Sequence, residues 1–377
     1  MYLSTPQDLA EFCERAAAFD AVAVDTEFLR ERTYRPRLCL IQVATPKECV
    51  AIDPLAIDDL GALAQLMRNR RVMKVFHACG QDLEVLFHAL GTLPKPIFDT
   101  QVAAAFLGQR VQSSYNELVR TYCGVNLPKA DSLTDWSRRP LAPSQLEYAL
   151  DDVRYLIQAY ARVSRELEDK GRLRWVASEL APLTDPDHYV VDRFAMYKRV
   201  KRVASLTRHQ LALARELAAW REARAEKTNV PRKWVMADET LLAVCKRAPQ
   251  SVADLRCVRG TEQLTDRDAE MAVAAVRRGL ACPAEKLPPA GKRRTAPDTE
   301  LECVSDLMYA LLRLISERSG VATTMIASRE DLIGYVTDPQ GSRLSQGWRH
   351  ELVGSTLDDL LAGRVGLTVK DRSVELL

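Results

Sequence analysis

The sequence predicts a mixed α/β domain over residues 1–180, then two all-helical modules at 190–282 and 301–377 joined by a linker at 283–300. Three observations carry that division. Short β-rich runs cluster in the first hundred residues. From Arg193 to Leu280 apolar residues recur at i, i+3, i+4, as in LTRHQLALARELAAWREARA, which is the period of a helix and not of a strand. PAEKLPPAGKRRTAPDTE (Pro283 to Glu300) carries four prolines and a basic run, the composition of an exposed connection. At 377 residues the chain also exceeds the roughly 250–300 at which a single core stops growing.

Taken in order, a short amphipathic helix is expected over Gln7 to Ala18, followed by FDAVAVDTEF (Phe19 to Phe28), LCLIQVAT and CVAID. These β-rich runs, separated by Arg/Pro and Pro-Lys-Glu turns, suggest a meander of neighbouring strands. A helix (Ile57 to Asn69), a strand (Val72 to Ala78), a second helix (Gly80 to Leu90) and a very short strand at Ile97 and Phe98 come next. Beyond Thr100 the pattern is helical, over Gln101 to Leu107, Tyr115 to Cys123 and one long stretch from Pro143 to Lys170. A sheet covered by helices is the economical packing of such a list. Ala181 to Tyr189, with two prolines, marks a boundary, and after the second helical run (Leu301 to Gly363) the chain ends in a β-like tail, VGLTVKDRSVEL.

Composition excludes several classes. Hydrophobic residues make up 47% and charged residues 28%, and no apolar run approaches the ~20 residues needed to span a bilayer. MYLSTPQDLAEF has neither a basic head nor an apolar stretch, so secretion is not expected. The nine cysteines form no C-x-x-C and no Cys/His spacing suited to zinc, which suggests reduced thiols in the cytoplasm. Cys79 has no legible His/Asn partnership and reads as a small buried hydrophobe. The net charge of +2 hides an asymmetry: Ala195 to Thr295 holds 22 basic against 11 acidic residues, +11, which leaves −9 elsewhere. Such a footprint suits a polyanion-binding module, although a solvated arginine-rich helical surface has the same composition.

Three acidic islands stand out in the first domain. Asp25 and Glu27 lie two apart, hence on one face of a strand. Close like charges raise each other's pKa unless a cation sits between them. Asp82 falls in the first turn of a helix that follows a strand directly, a position that favours an acid. Tyr148 and Asp152 are i and i+4 and share a helix face, whereas Asp151 points about 100° away. Hard oxygen ligands of this kind select Mg²⁺ or Mn²⁺ over zinc. Singly, each island has an ordinary structural reading: a strand end, a helix-start acid, a half-buried helix face. His77 reads as a satisfied strand-end histidine or a substrate contact, Phe28 as core or a stacking platform. Trp136, with Arg138 and Arg139, is either packing or channel lining.

The order DTEF, then H-A-x-x-x-D-L-E, then Y-x-x-x-D resembles the tyrosine subclass of the DEDD 3′→5′ exonuclease superfamily, and within it the ribonuclease D family. RTYRPRLCLIQ, IFDTQVAAAFLG and SLTDWSRRPL running into QLEYALDDVRYL agree. RELAAWREARAEKTNVPRKWVMADETLLAVCKRAP resembles the HRDC domain, and IASREDLIGYV with GWRHELVG resembles a second, weaker HRDC-like copy.

The resemblance implies a ribonuclease H-like mixed sheet covered by helices, followed by two all-α HRDC-type modules. It implies two divalent ions, Mg²⁺ or Mn²⁺, held by Asp25, Glu27, Asp82 and Asp152, with Tyr148 aiming the attacking water. Phe28, His77, Trp136 and Arg138 are tentative substrate contacts. The activity expected is 3′→5′ exoribonuclease release of 5′-mononucleotides from single-stranded RNA 3′ ends, with tRNA precursors as substrate, by a cytoplasmic monomer without membrane contact. A DNA exonuclease and a non-catalytic RNA-binding adaptor are the rivals, and a protein-interaction scaffold would leave the basic bias unexplained.

Overall fold

The computed structural model describes residues 1–128, 134–289 and 299–377. Most of the expected linker, at 290–298, and the start of SLTDWSRRPL, at 129–133, therefore lie outside the described residues. The chain divides into two compact units. One comprises Met1–Phe28, Leu38–His188 and the described part of Ala296–Leu377; the other comprises Leu29–Arg37 and the described part of Tyr189–Thr295.

The first unit is built on a six-stranded sheet of β1 (Tyr2–Leu3), β2 (Ala21–Leu29), β3 (Arg37–Ala44), β4 (Cys49–Ile52), β5 (Met73–Phe76) and β6 (Ile97–Asp99), in the order β1-β4-β3-β2-β5-β6. The expected meander is present, since β2, β3 and β4 are neighbours and β3 runs antiparallel to β4, with Ile41 opposite Ile52. β5 pairs parallel with both β2 and β6. The sheet is therefore mixed. Leu38 to Ala44 are all buried, as expected of a strand covered on both faces, where alternation disappears. β2 extends to Leu29, so Asp25 and Glu27 sit inside a central strand and not at its end.

Helices α1 (Pro6–Ala16), α2 (Gly61–Arg68), α3 (Gly80–Leu90), α4 (Thr100–Ala105), α5 (Tyr115–Cys123), α6 (Pro143–Arg154), α7 (Leu156–Asp169) and α8 (Leu173–Leu180) cover it. α5 starts where Ser114 and Glu117 form a reciprocal capping box and stops at Gly124, φ 73°, a left-handed position that glycine adopts without penalty. α2 begins four residues later than its apolar spacing suggests, because the Asp59 carboxylate accepts the Gly61 N–H at 2.7 Å and holds the preceding stretch as a turn. The long helix expected from Pro143 to Lys170 is two helices. The break is one residue, Tyr155, whose φ of −100° and ψ of −5° barely disturb the side-chain period.

The C-terminal helices belong to this unit. The helices Thr299–Ser319 and Arg329–Thr337 pack on one another, and Trp348 stacks on Trp175 at 5.4 Å and meets Phe106 edge-on at 4.9 Å. Glu179 accepts from Trp348 Nε1 at 2.8 Å and from both terminal nitrogens of Arg349 at 2.6 and 3.0 Å. Removing 299–377 would strip apolar cover from Phe106 and Trp175. The tail is a two-stranded hairpin, Leu367–Lys370 with Ser373–Leu376.

In the second unit, α9 (Arg208–Thr228) is the axis. Leu211, Leu217 and Trp220 on α9 share a core with Leu241, Val244, Leu255, Val258, Val273 and Val276. Gly279 of the helix Asp266–Leu280 is required there, since a Cβ would lie 2.6 Å from Leu213 Cα. Residues 193–199 and 203–205 are 3₁₀ turns within the stretch read as continuously helical. The excursion Leu29–Arg37 joins this unit through Tyr34, whose hydroxyl donates to Glu222 at 2.6 Å, and Arg35, paired with Glu226 at 2.5 Å. All nine cysteines are free, and among the described residues no helix is long and apolar enough to cross a membrane.

One buried cation ties the sheet edge together. Lys74 on β5 is fully buried and its Nζ donates to the carbonyls of Asn69 at 2.8 Å, Val72 at 2.7 Å and Lys95 at 2.5 Å. Lys74→Met keeps the stem volume but orphans three acceptors, so urea unfolding is expected to show a loss of about 1–3 kcal/mol. An unchanged midpoint would mean the three carbonyls find other donors at no cost.

Candidate active site

Asp25 and Glu27 leave the same face of β2, and Asp152 approaches them from α6. Carboxylate oxygens of all three lie within 4.8 Å of one another. Asp82 stands beside this group. It is 7% exposed on the first turn of α3, and its Oδ1 accepts a 2.5 Å hydrogen bond from Thr26 Oγ1. The sequence treats the four acids alike. The structure makes three of them a tight set and holds the fourth through the threonine between the first two.

The electrostatics follow from that crowding. The Asp25 carboxyl is pushed well above the usual carboxylate range, first by burial and then by the charges of Asp82, Asp152 and Glu27. Burial, then Asp152 and Asp82, raise Glu27 to about 8. Asp152 is raised to about 7 by burial, against a hydrogen bond from the Tyr148 hydroxyl, and Asp82 to about 6, against the bond from Thr26. Without a cation the cluster relieves its repulsion by holding protons. Tyr148 is 37% exposed, and burial, then the charges of Asp152, Glu27 and Asp25, push its phenol upward. It therefore stays protonated at neutral pH.

Asp151 lies outside the cluster, paired with Arg154 at 2.5 Å. Trp136 is 7% exposed and its ring stacks near Tyr148, centroids 6.2 Å apart and 25° between planes. Arg139 holds the Trp136 segment. Its guanidinium grips Asp53 at 2.6 and 2.7 Å and donates to the Trp136 and Cys39 carbonyls at 2.8 and 2.7 Å. Arg139 is thus structural, whereas the Arg138 side chain is 84% exposed, 3.4 Å from Asp135. Phe28, half-buried, follows Glu27 on β2.

His77 takes the first of its two readings, the satisfied strand-end histidine. Its Nδ1 meets Thr100 Oγ1 and its Nε2 the Ser113 carbonyl, each at 3.0 Å. Neither ring nitrogen is left for a substrate, and burial lowers its basicity. Cys79 is fully buried with its thiol pushed up by burial, which is no setting for a nucleophile.

Two residues with no sequence-level role organise the turn that delivers Asp82. Asp99, 2% exposed at the end of β6, accepts the N–H groups of Ala78 (3.1 Å), Cys79 (2.7 Å), Gln101 (2.8 Å) and Val102 (3.3 Å). Ala78 sits at φ 62°, a conformation that costs a residue with a Cβ and that Asp99 compensates. Thr100 Oγ1 lies 3.0 Å from both the Phe76 carbonyl and His77 Nδ1, so its one proton is shared between them. The only sequence signal was the Asp in IFDTQ, next to a strand.

The raised carboxyls set a pH dependence. Between pH 4 and about 8 the metal-free folded chain retains protons on these acids that the unfolded chain has released, so stability falls as pH rises through that window. Asp25→Asn is expected to flatten this fall and to melt above the wild type at pH 8 in chelator, while Mn²⁺ or Mg²⁺ raises the wild-type melting point much more than the variant's. Parallel pH profiles for the two proteins would contradict the assignment.

Known families and proteins resemble this chain along its length. The 3′-5′ exonuclease family model matches residues 1–168 and the HRDC domain model residues 210–270. Ribonuclease D of Jannaschia sp. (strain CCS1) is 43% identical over 100% of this chain and 98% of its own. Ribonuclease D of Nitrobacter hamburgensis is 39% identical over 98% and 97%. The crystal structure of Escherichia coli RNase D, an exoribonuclease involved in structured RNA processing, superposes with a TM-score of 0.85 at 31% identity, covering 96% of this chain and 98% of that one. The chain therefore belongs to the ribonuclease D family and is a 3′→5′ exoribonuclease.

Proposed function

We propose that the exoribonuclease is metal-dependent, that Asp25, Glu27 and Asp152 hold two divalent ions with Asp82 beside them, and that its substrates are structured RNAs with 3′ extensions, tRNA precursors above all. The mutual approach of the three carboxylates within 4.8 Å carries the reading. An all-oxygen donor set of this density fits Mg²⁺ or Mn²⁺. When bound, such ions supply Lewis acidity to the attacking water and to the leaving 3′ oxygen.

The chain's own residues do the rest. The protonated Tyr148 hydroxyl can orient a water but cannot take its proton at neutral pH. Trp136, packed against Tyr148, limits the phenol's swing. Thr26 fixes the Asp82 carboxylate and leaves its second oxygen for the site. Water adds to the terminal phosphorus, the 3′ oxygen of the penultimate nucleotide leaves with a proton, and a 5′-mononucleotide departs.

An acidic centre repels the polymer it cuts, so affinity has to come from elsewhere. The helical unit supplies it. A cleft of about 460 Å³ there is lined by Arg199, Lys201, Arg232 and Lys233 against Asp238 and Glu239, and the neighbouring Trp234 is 52% exposed. Cations that track a backbone beside an open aromatic are the elements of single-strand binding. The involvement of the Escherichia coli relative in structured RNA processing supports a structured substrate.

The test is hydrolysis of a 5′-labelled single-stranded RNA with and without Mg²⁺ or Mn²⁺. The wild type should give a metal-dependent ladder shortening from the 3′ end. Asp25→Asn removes several kcal/mol of transition-state stabilisation, about 10³-fold or more in rate, and Tyr148→Phe about 10²-fold by loss of water positioning. A ladder that persists in chelator, or survives Asp25→Asn, would overturn the reading.

A further inference from the structure

The C-terminal stretch 299–377 carries seven arginines. Four are paired with carboxylates: Arg329 with Asp306, Arg343 with Asp331 at 2.9 Å, Arg349 with Glu179 at 2.6 Å and Arg364 with Asp359 at 2.7 Å. The remaining three, Arg313, Arg318 and Arg372, have no ion pair among the described residues. All three line one cleft of about 860 Å³ between the helix Thr299–Ser319 and the terminal hairpin.

The cleft is built from two directions. On the helix Thr299–Ser319, Ala310, Arg313, Leu314 and Glu317 line it at the three- and four-residue spacing of one helix face. On the hairpin, Arg372, Ser373 and Val374 close it. Glu317 is the one acid among the lining residues, against three guanidinium groups.

The hairpin turn is a second observation. Asp371 and Arg372 connect the paired ends Lys370 and Ser373 at φ 48° and 66°. A two-residue turn with both φ values positive normally takes Asn-Gly or Asp-Gly. An arginine here stands where glycine would be free of strain. Strain held at an exposed position, with the side chain lining a cationic cleft, points to a role for that side chain.

We propose that this cleft binds phosphates of the RNA chain away from the 3′ end being cut, as a contact separate from both the acid cluster and the helical unit's cations. The inference rests on the reading of the substrate as structured RNA. Guanidinium groups match phosphate oxygens in geometry and stay charged at every working pH, while Leu314 and Val374 give the floor apolar surface suited to ribose and base faces.

The experiment measures binding of a stem-loop RNA with a single-stranded 3′ tail, in chelator, as a function of salt, for the full chain and for the triple variant Arg313→Ser, Arg318→Ser, Arg372→Gly. Three lost phosphate contacts should lower the slope of log K against log[salt] by about 2 and weaken binding at low salt about 10-fold or more. Hydrolysis of a trinucleotide at saturation should be unchanged. Arg372→Gly alone should weaken binding while leaving the melting temperature equal or higher, which a purely structural arginine would not do. The triple lysine variant should keep most of the slope. An unchanged slope, a parallel loss of trinucleotide hydrolysis, or a lysine variant as weak as the neutral one would overturn the proposal. Because binding is read without hydrolysis, loss of the metal-dependent ladder would count against the proposed chemistry alone.

Discussion

The repulsion among four carboxylates is the constraint around which the first unit is arranged. Asp25 and Glu27 occupy a central strand with neighbours on both sides, where partial burial weakens the screening of their charge, and Asp152 is brought within reach from a helix. Such a cluster opposes folding in the absence of a cation, because each acid must either carry a proton or face its neighbours' charge. A fold can keep it only if the surrounding framework contributes more than the cluster takes away. The sheet does so, with the strand from Leu38 to Ala44 buried throughout and Lys74 stitching three carbonyls at its edge.

The framework also fixes each acid by a different device, and the devices are short-range. Asp25 and Glu27 need only the strand's two-residue period. Asp82 depends on a strained turn at Ala78, which Asp99 secures by accepting four backbone N–H groups, and on the Thr26 hydroxyl. Asp152 and Tyr148 share one helix face, and Trp136 packs on that face because Arg139, locked to the buried Asp53, holds its segment. Preorganisation of this kind keeps the acids in place before any ion or RNA arrives.

Much of this was legible in the sequence, and the division has a physical basis. The helix Gly80–Leu90 and the helix Tyr115–Cys123 coincide with their expected bounds because their stops are local: Gly91 and Gly124 each take a left-handed φ just after the last apolar residue. The three acidic islands were visible because their spacing states which face each acid shares. What escaped depends on partners far along the chain. Lys74 looks like a surface residue in a strand until residues 69 and 95 fold around it. His77 looks available until the Ser113 carbonyl, 36 residues on, takes its second nitrogen. The separation of Asp82 from the other three acids rests on Thr26, 56 residues away, and the C-terminal helices read as a free-standing module because nothing in their own period records that Trp348 seats against Trp175 and Phe106.

The central claim is that a cluster holding protons exchanges them for divalent cations. Calorimetric titration of Mn²⁺ into the chelator-treated protein at pH 7, repeated in two buffers of different ionisation enthalpy, reads the number of protons released per ion bound. With Glu27 raised to about 8, Asp152 to about 7 and Asp25 held well above the usual carboxylate range, the account predicts that binding expels protons and that the apparent enthalpies differ between buffers accordingly. Tight binding with identical enthalpies in both buffers would show that the acids are already ionised, and would contradict the account.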